Sequence, residues 1–425
     1  MMAASLNLRR GEPSTRPWAA AVGKWQIAST IIGVTFLAAI GIPLGDKQIF
    51  LSIIIPLVFT AAGLCVGSVR LRPSTCVAYA LAMSVICAAQ ILGGGEFSSL
   101  SIVLLAALHF PYCVQLTDGQ QRSDWALRFF QAVAVVISAC GVCQFLGQFV
   151  IDYRWLFPIE TFLPEGFVMR NYNYFNELYY GSPILKSNGV FMLEASFFSQ
   201  LAALALIIEI IYFRRLLCCL LFLAAMVVTY SGSGLIVLLV ALPIIVVVNR
   251  RIDILVYGLV ALLAAYLLFN TLGLQLFVQR LGEFGASNSS GFARYVGGFY
   301  LFDQYLWPDT ANALFGMGAG ATDGVVGEQA RYAAAAVTWV KVLFEYGLVG
   351  AAAYFAFLYF CLLSNRGPLA VKLAAAIMIL LNGSLVPFAH ALVFALLIWP
   401  AGETPQPSTR RKVKTQHARS VAEIA

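Results

Sequence analysis

Residues 190–213 read VFMLEASFFSQLAALALIIEIIYF, an apolar run that carries a carboxylate, Glu194, close to where it starts. A helix rises 1.5 Å per residue, so roughly 20 apolar residues match a hydrocarbon core about 30 Å thick. A charge inside such a run is costly unless it faces a polar cavity or a cation, which makes Glu194 a functional candidate. The competing role is structural, because a carboxylate at a helix N-terminus also favours the helix dipole. Arginines in the segment just before it favour function.

Runs of the same character recur on both sides, near 26–44, 48–68, 75–93, 97–117, 126–151, 216–230, 234–249, 252–270, 337–362, 370–386 and 387–401. Hydrophobic residues make up 60% of the chain and charged residues 11%, and the mean hydropathy is +0.83. A soluble domain is about a quarter charged, so no water-facing surface can be built from this composition. The chain is expected to be all-α: a polytopic integral membrane protein with about twelve transmembrane helices. The 216–249 pair and the final pair are short for full spans and are expected to form hairpins or broken helices. Residues 1–25 form a cytoplasmic N-terminal segment, 26–401 a single membrane domain, and 402–425 a basic tail. The first apolar segment lacks a small-residue cleavage site and is read as a retained span.

Short loops rich in Lys and Arg stay cytoplasmic. With Arg9, Arg10, Arg16 and Lys24 inside, alternation also places Arg70, Arg72, Arg122, Arg214, Arg215, Arg250, Arg251, Arg366, Lys372 and the tail from Arg410 to Arg419 inside. Both termini are then cytoplasmic, and two long loops, about 152–189 and 270–336, are exterior. None of the nine cysteines lies in either loop, so no structural disulfide is expected. Cys140 and Cys143 form a CxxC without a partner pair, and His109, His390 and His417 are scattered, so neither metal nor cofactor is expected. The net charge of +7 reflects anchoring against anionic membrane lipid, with no nucleic acid as partner.

The first loop, DYRWLFPIETFLPEGFVMRNYNYFNELYYGSPILKSNG, sets Arg154, Arg170 and Lys186 among carboxylates and among aromatics such as Tyr172. Aromatic faces suit the C–H faces of sugars, although Tyr and Trp also gather at headgroup depth for purely interfacial reasons. The second loop carries Arg280, Arg294 and Arg331. Its glycine-rich stretch, Phe315 to Gly320, lacks a following Walker lysine and reads as a tight turn. Arg294 to Leu306 has helical spacing, with Tyr295, Phe299, Phe302 and Leu306 on one face, as in a helix lying on a membrane. Arg170 and Arg280 are each followed by ten residues and then glycine, Gly181 and Gly291, which links the loops. Lys341 and Glu345 stand four apart on the next span, where they neutralise each other.

Four segments together resemble a known family: KSNGVFMLEASFFSQLAAL (186–204), YSGSGLIVLLVALP (230–243), ALFGMGAG (313–320) and WVKVLFEYGLVGAAAYF (339–355). From about Lys186 to Phe357 the chain resembles the bacterial O-antigen polymerase and ligase superfamily, especially its Wzy-type polysaccharide polymerases. It departs from the family pattern at Ala195, where proline is common, and at a glycine near Ser231, where a basic residue is common. The histidine that often precedes the final Glu-x-Gly in the ligase branch is missing between Ala333 and Trp339. The resemblance implies a metal-independent membrane glycosyltransferase that joins oligosaccharide units carried on undecaprenyl diphosphate at the outer face of the inner membrane. A chain-length regulator and a flippase of the same pathway are implied as further partners. Arg forms bidentate contacts with phosphate, so Arg170, Arg280 and Arg294 suit a leaving diphosphate. A partly desolvated Glu194 suits the base that takes the acceptor proton. Arg154, Lys186, Tyr172 and Tyr295 are the remaining candidate substrate contacts. A ligase with the same donor, or a non-enzymatic transporter, are the alternatives; a transporter would carry charged or helix-breaking residues deep in several spans, often in repeated halves.

Overall fold

The computed structural model describes residues 17–44, 47–117, 123–179, 181–250, 289–325, 336–383 and 385–400, with isolated residues between 253 and 285. It is mostly helical. Four helices are long and apolar enough to cross a membrane: α3 (Pro73–Gly93), α5 (Ser123–Gly147), α6 (Ala195–Ile208, continued by a π-helical turn to Phe213) and α9 (Thr338–Leu363). Around them stand α1 (Pro17–Phe36), α2 (Leu51–Val66), α4 (Ser99–His109), α7 (Leu216–Thr229), α8 (Gly232–Asn249), α10 (Leu369–Leu381) and α11 (Pro387–Val393). About half of the expected span at 252–270 lies outside the described residues.

Every residue of α6 is buried, which is the signature of a helix with no polar face to present. It is ringed by α5, α7, α8 and α10, while α3 and α9 form a second packed pair. Small residues let α6 and α8 approach closely. A Cβ on Gly234 would lie 2.3 Å from Ser199 Oγ, and the Gly234 N–H donates to that same oxygen at 3.2 Å.

Several expected spans are shorter in the structure. The run at 97–117 is helical only to His109. Pro111 then enforces a tight 3-10 turn, and the chain leaves as strand β4 (Val114–Leu116), antiparallel to β3 (Val69–Leu71). The run at 26–44 starts its helix earlier, at Pro17, and ends in the hairpin β1 (Gly41–Leu44) and β2 (Lys47–Phe50).

The bundle has two chemically different ends. At one, the β3–β4 pair, the bond from Leu116 N to Trp399 O and the bond from Asn365 Nδ2 to Leu397 O gather the turns bearing Arg70, Arg72, Arg366 and Lys372. At the other, Ile40 bridges Val168 and Ser98 N donates to Ala319 O, so the first long loop meets the start of the β1–β2 hairpin and the second meets the turn between α3 and α4. Helices α1 and α11 both have their outer ends, at Pro17 and beyond Val393, on the basic side.

Helix α9 is broken at Gly347, whose φ of 64° and ψ of −171° are not helical. The carbonyls freed there accept from Met317 N at 2.9 Å and Gly318 N at 3.2 Å, so the 315–319 segment plugs the break. Gln90 of α3 locks it, donating to Glu345 O at 3.1 Å and accepting from Ala319 N at 2.6 Å. The glycine stretch is thus a helix-docking turn. Residues 294–306 do not form the single helix expected. They split at Val296 into Ser290–Tyr295 and Gly297–Leu301 with a π turn to Leu306, and Leu301, Phe302 and Leu306 pack on Val337, Val340 and Phe344.

Candidate functional site

The return of the first loop is fixed by two glutamines of the α5 end. Gln144 accepts from Ser187 Oγ at 2.7 Å and donates to Asn188 Oδ1 at 2.8 Å; Gln148 exchanges two bonds with the Leu185 backbone. Ser187 and Asn188 are fully buried, so this part of the loop anchors the chain just ahead of Glu194. Gln48 of β2 clamps the loop from the other side. It donates to the Gly166 and Val168 carbonyls and accepts from Arg170 N at 2.8 Å, which places Arg170 over the bundle.

Glu194 is the N-cap of α6, yet its side chain makes no capping bond to the helix backbone. Its Oε2 instead accepts from Arg294 Nη2 at 2.6 Å and from Ser196 Oγ at 3.1 Å, and its Oε1 from Asn173 N at 3.3 Å. The two ionic side chains are 27% and 13% exposed, so this pair is neither a free surface contact nor a sealed one. It joins the start of α6, just after the first loop, to the second loop across 100 residues of sequence.

The pair sits on a cavity of about 730 Å³. Arg170, Tyr172, Glu194 and Arg294 all line it, facing an apolar wall that includes Ile53, Leu104, Leu105 and Leu108. Tyr172 is held edge-on to Phe50 and Phe197. Lys341 and Glu345, anticipated as an ion pair, do meet at 3.3 Å, and both lie on the same cavity wall. Sequence reasoning left out Thr322, Asn382 and Gln200, which also line it. Polar residues flanked by apolar ones were the available signal for Gln200 and Asn382; Thr322 gave none.

Three other candidates stand away from this cavity. Arg154 is exposed on the Tyr153–Leu156 turn, where Tyr153 and then Asp152 push its guanidinium pKa up. Lys186 is buried within the anchored part of the loop, its backbone N–H bonded to Asn176 O at 2.7 Å. Tyr295 is near Ser233, its hydrogen-bond partner, and burial pushes its phenol up. Arg280 lies outside the described residues, as does Arg331.

Glu160, on the Pro158–Phe162 turn, has an unusual environment. Burial raises its carboxyl from 4.5 to about 7, with its own backbone N–H only partly offsetting, and neither oxygen has a side-chain hydrogen-bond partner among the described residues. The folded protein therefore holds a proton that the unfolded chain loses near pH 4.5, and stability falls as pH rises from about 4.5 to 7. Glu160→Gln, which mimics the protonated form, is expected to be more stable than wild type by about 3 kcal/mol at pH 8 and equal to it near pH 4. Detergent unfolding curves at the two pH values measure this; an equal shift at both would reject the buried-proton account.

Comparison with protein-family models, curated proteins and solved structures returned no match.

Proposed function

We propose that the protein is a Wzy-type polysaccharide polymerase. It would join oligosaccharide repeat units carried on undecaprenyl diphosphate, with the cavity at the outer face of a bacterial inner membrane and both termini cytoplasmic. The observation that carries this reading is the meeting of Glu194, at the start of α6 just after the first long loop, with Arg294 of the second, on a cavity that also holds Arg170 and has an apolar flank. A lipid diphosphate has this same combination of a strong anion and a hydrocarbon chain.

In the reaction, an acceptor hydroxyl oxygen attacks the anomeric carbon of the donor. The bond from that carbon to the diphosphate oxygen breaks, and the diphosphate leaves with the electron pair. Guanidinium groups suit the developing charge, because fixed donors in a partly dehydrated site need no reorganisation as it forms. The acceptor proton passes to a carboxylate, and Glu194 is the one at the cavity mouth. Because Glu194 holds Arg294 at rest, a diphosphate that draws Arg294 onto itself also frees the Glu194 oxygen.

Lipid-linked glycans extracted from cells test the reading. Arg170→Ala and Arg280→Ala are each expected to leave a single repeat unit on its lipid at the outer face, at normal protein level. Lys in place of either Arg should rescue in part, since it keeps the charge but loses the bidentate fork. Long lipid-linked chains that fail to reach a final acceptor would identify a ligase instead. A repeat unit trapped on the cytoplasmic face would identify a transporter.

A further inference from the structure

The cavity has a second polar wall that the proposed chemistry leaves unused. Lys341 and Glu345, one turn apart on α9, have side chains 12% and 0% exposed. A carboxylate buried that deeply is very unfavourable without a cation, so Glu345 holds the Lys341 ammonium in place, and Lys341, the more exposed of the two, offers its charge to the cavity that both line. Thr322 Oγ1 and both amide atoms of Asn382 are buried and have no hydrogen-bond partner among the described residues. Both residues line the same cavity. The Asn382 backbone is pinned, its carbonyl accepting from Thr338 N at 2.8 Å and Thr338 Oγ1 at 3.1 Å, which holds the residue with its unsatisfied amide at the cavity. Leaving such groups unpaired costs about 1–3 kcal/mol each, a penalty that a polar ligand removes.

An ammonium, a hydroxyl and an amide N–H₂ are three kinds of donor that suit phosphate oxygens. A diphosphate carries two anionic groups, and this cavity carries two cation clusters, each steadied by its own carboxylate: Arg294 with Glu194, and Lys341 with Glu345. We infer that Lys341, Thr322 and Asn382 form a subsite for a phosphate group of a lipid diphosphate, with Glu345 as the residue that positions Lys341. The inference rests on reading the cavity as a site for lipid-diphosphate-linked glycans.

Equilibrium binding of geranylgeranyl diphosphate, geranylgeranyl monophosphate and geranylgeraniol to the full-length protein in nanodiscs tests it. Lys341→Met alone would strand a buried carboxylate, so the informative variants are Thr322→Val and the neutral double variant Lys341→Met with Glu345→Gln. Each is expected to weaken diphosphate binding about tenfold or more and to leave the alcohol unaffected. Unchanged diphosphate affinity in both variants, with Arg294→Ala weakened, would overturn the subsite and leave the polymerase reading standing. Weakened affinity in both variants together with normal polymer in cells would support the subsite and overturn the polymerase. Wild-type protein that binds the alcohol as well as the diphosphate would overturn both.

Discussion

Arg294→Ala is expected to cut polymer formation by about 10² to 10³, the loss seen when one donor to a developing anion is removed. The repeat unit should accumulate on its lipid. The reason lies in the geometry: Arg294 approaches Glu194 at 2.6 Å and is 27% exposed, so it is held in place yet still faces the cavity. Arg294→Lys should recover only part of the activity, since the ammonium cannot form the planar fork. Glu194→Gln should fall by about 10² at unchanged protein level if Glu194 takes the acceptor proton. The double variant Glu194→Gln with Arg294→Ala separates two roles for Glu194. If Glu194 acts only by positioning Arg294, the double variant is no worse than Arg294→Ala alone; if it also takes the proton, the double variant falls further. Chain-length distributions of lipid-linked glycans at matched protein levels are the measurement. Wild-type chains in Arg294→Ala would remove the arginine from the mechanism.

Gly316→Ala should abolish accumulation of the folded protein. Gly316 has φ 88° and ψ 173°, a region open essentially to glycine alone. A Cβ there would stand 2.3 Å from Glu345 O, a backbone atom that cannot turn away. Relieving that clash pulls the 315–319 segment off α9 and exposes the carbonyls at the Gly347 break. Unpaired backbone groups inside an apolar bundle cost several kcal/mol each. Strain, clash and lost bonds together reach about 4 kcal/mol or more, a large share of a typical total stability. Gly347→Ala should fail in the same way, because its Cβ would lie 2.4 Å from Gly316 N. Gly232→Ala is the control, since nothing lies within 4 Å of its Cβ position. Detergent-solubilised yield and size-exclusion profiles report the outcome. A Gly316→Ala protein with wild-type yield and melting would show that the plug is dispensable.

The two predictions share a physical origin. The break in α9 turns Glu345 away from a regular helical ladder, and the plug keeps the break closed while the side chains of Lys341 and Glu345 border the cavity. In the sequence, FGMGAG offered only a choice between a phosphate cradle and a turn. What it docks on is a carbonyl pair about 30 residues away, freed by a glycine that has no local marker as a helix breaker.

Composition alone pointed to a bilayer, because so few charges cannot cover a soluble surface, and four long apolar helices are compatible with that reading. The spacing of basic turns likewise anticipated that Arg70, Arg72, Arg366 and Lys372 share one end of the bundle, since parity along a series of helices is a property of order. Glu194 stood out because a charge in an apolar run needs a partner, and the rule requires a cation without saying which. Tertiary structure decided that the partner is Arg294, and that Arg170 and Tyr172 share its cavity while Arg154, Lys186 and Tyr295 do not. It also decided that Lys341 and Glu345 border that cavity. The residues that meet there come from two loops and five helices, and which helices neighbour each other is set by side-chain packing along their whole length, such as Gly234 on Ser199. No local pattern encodes that packing.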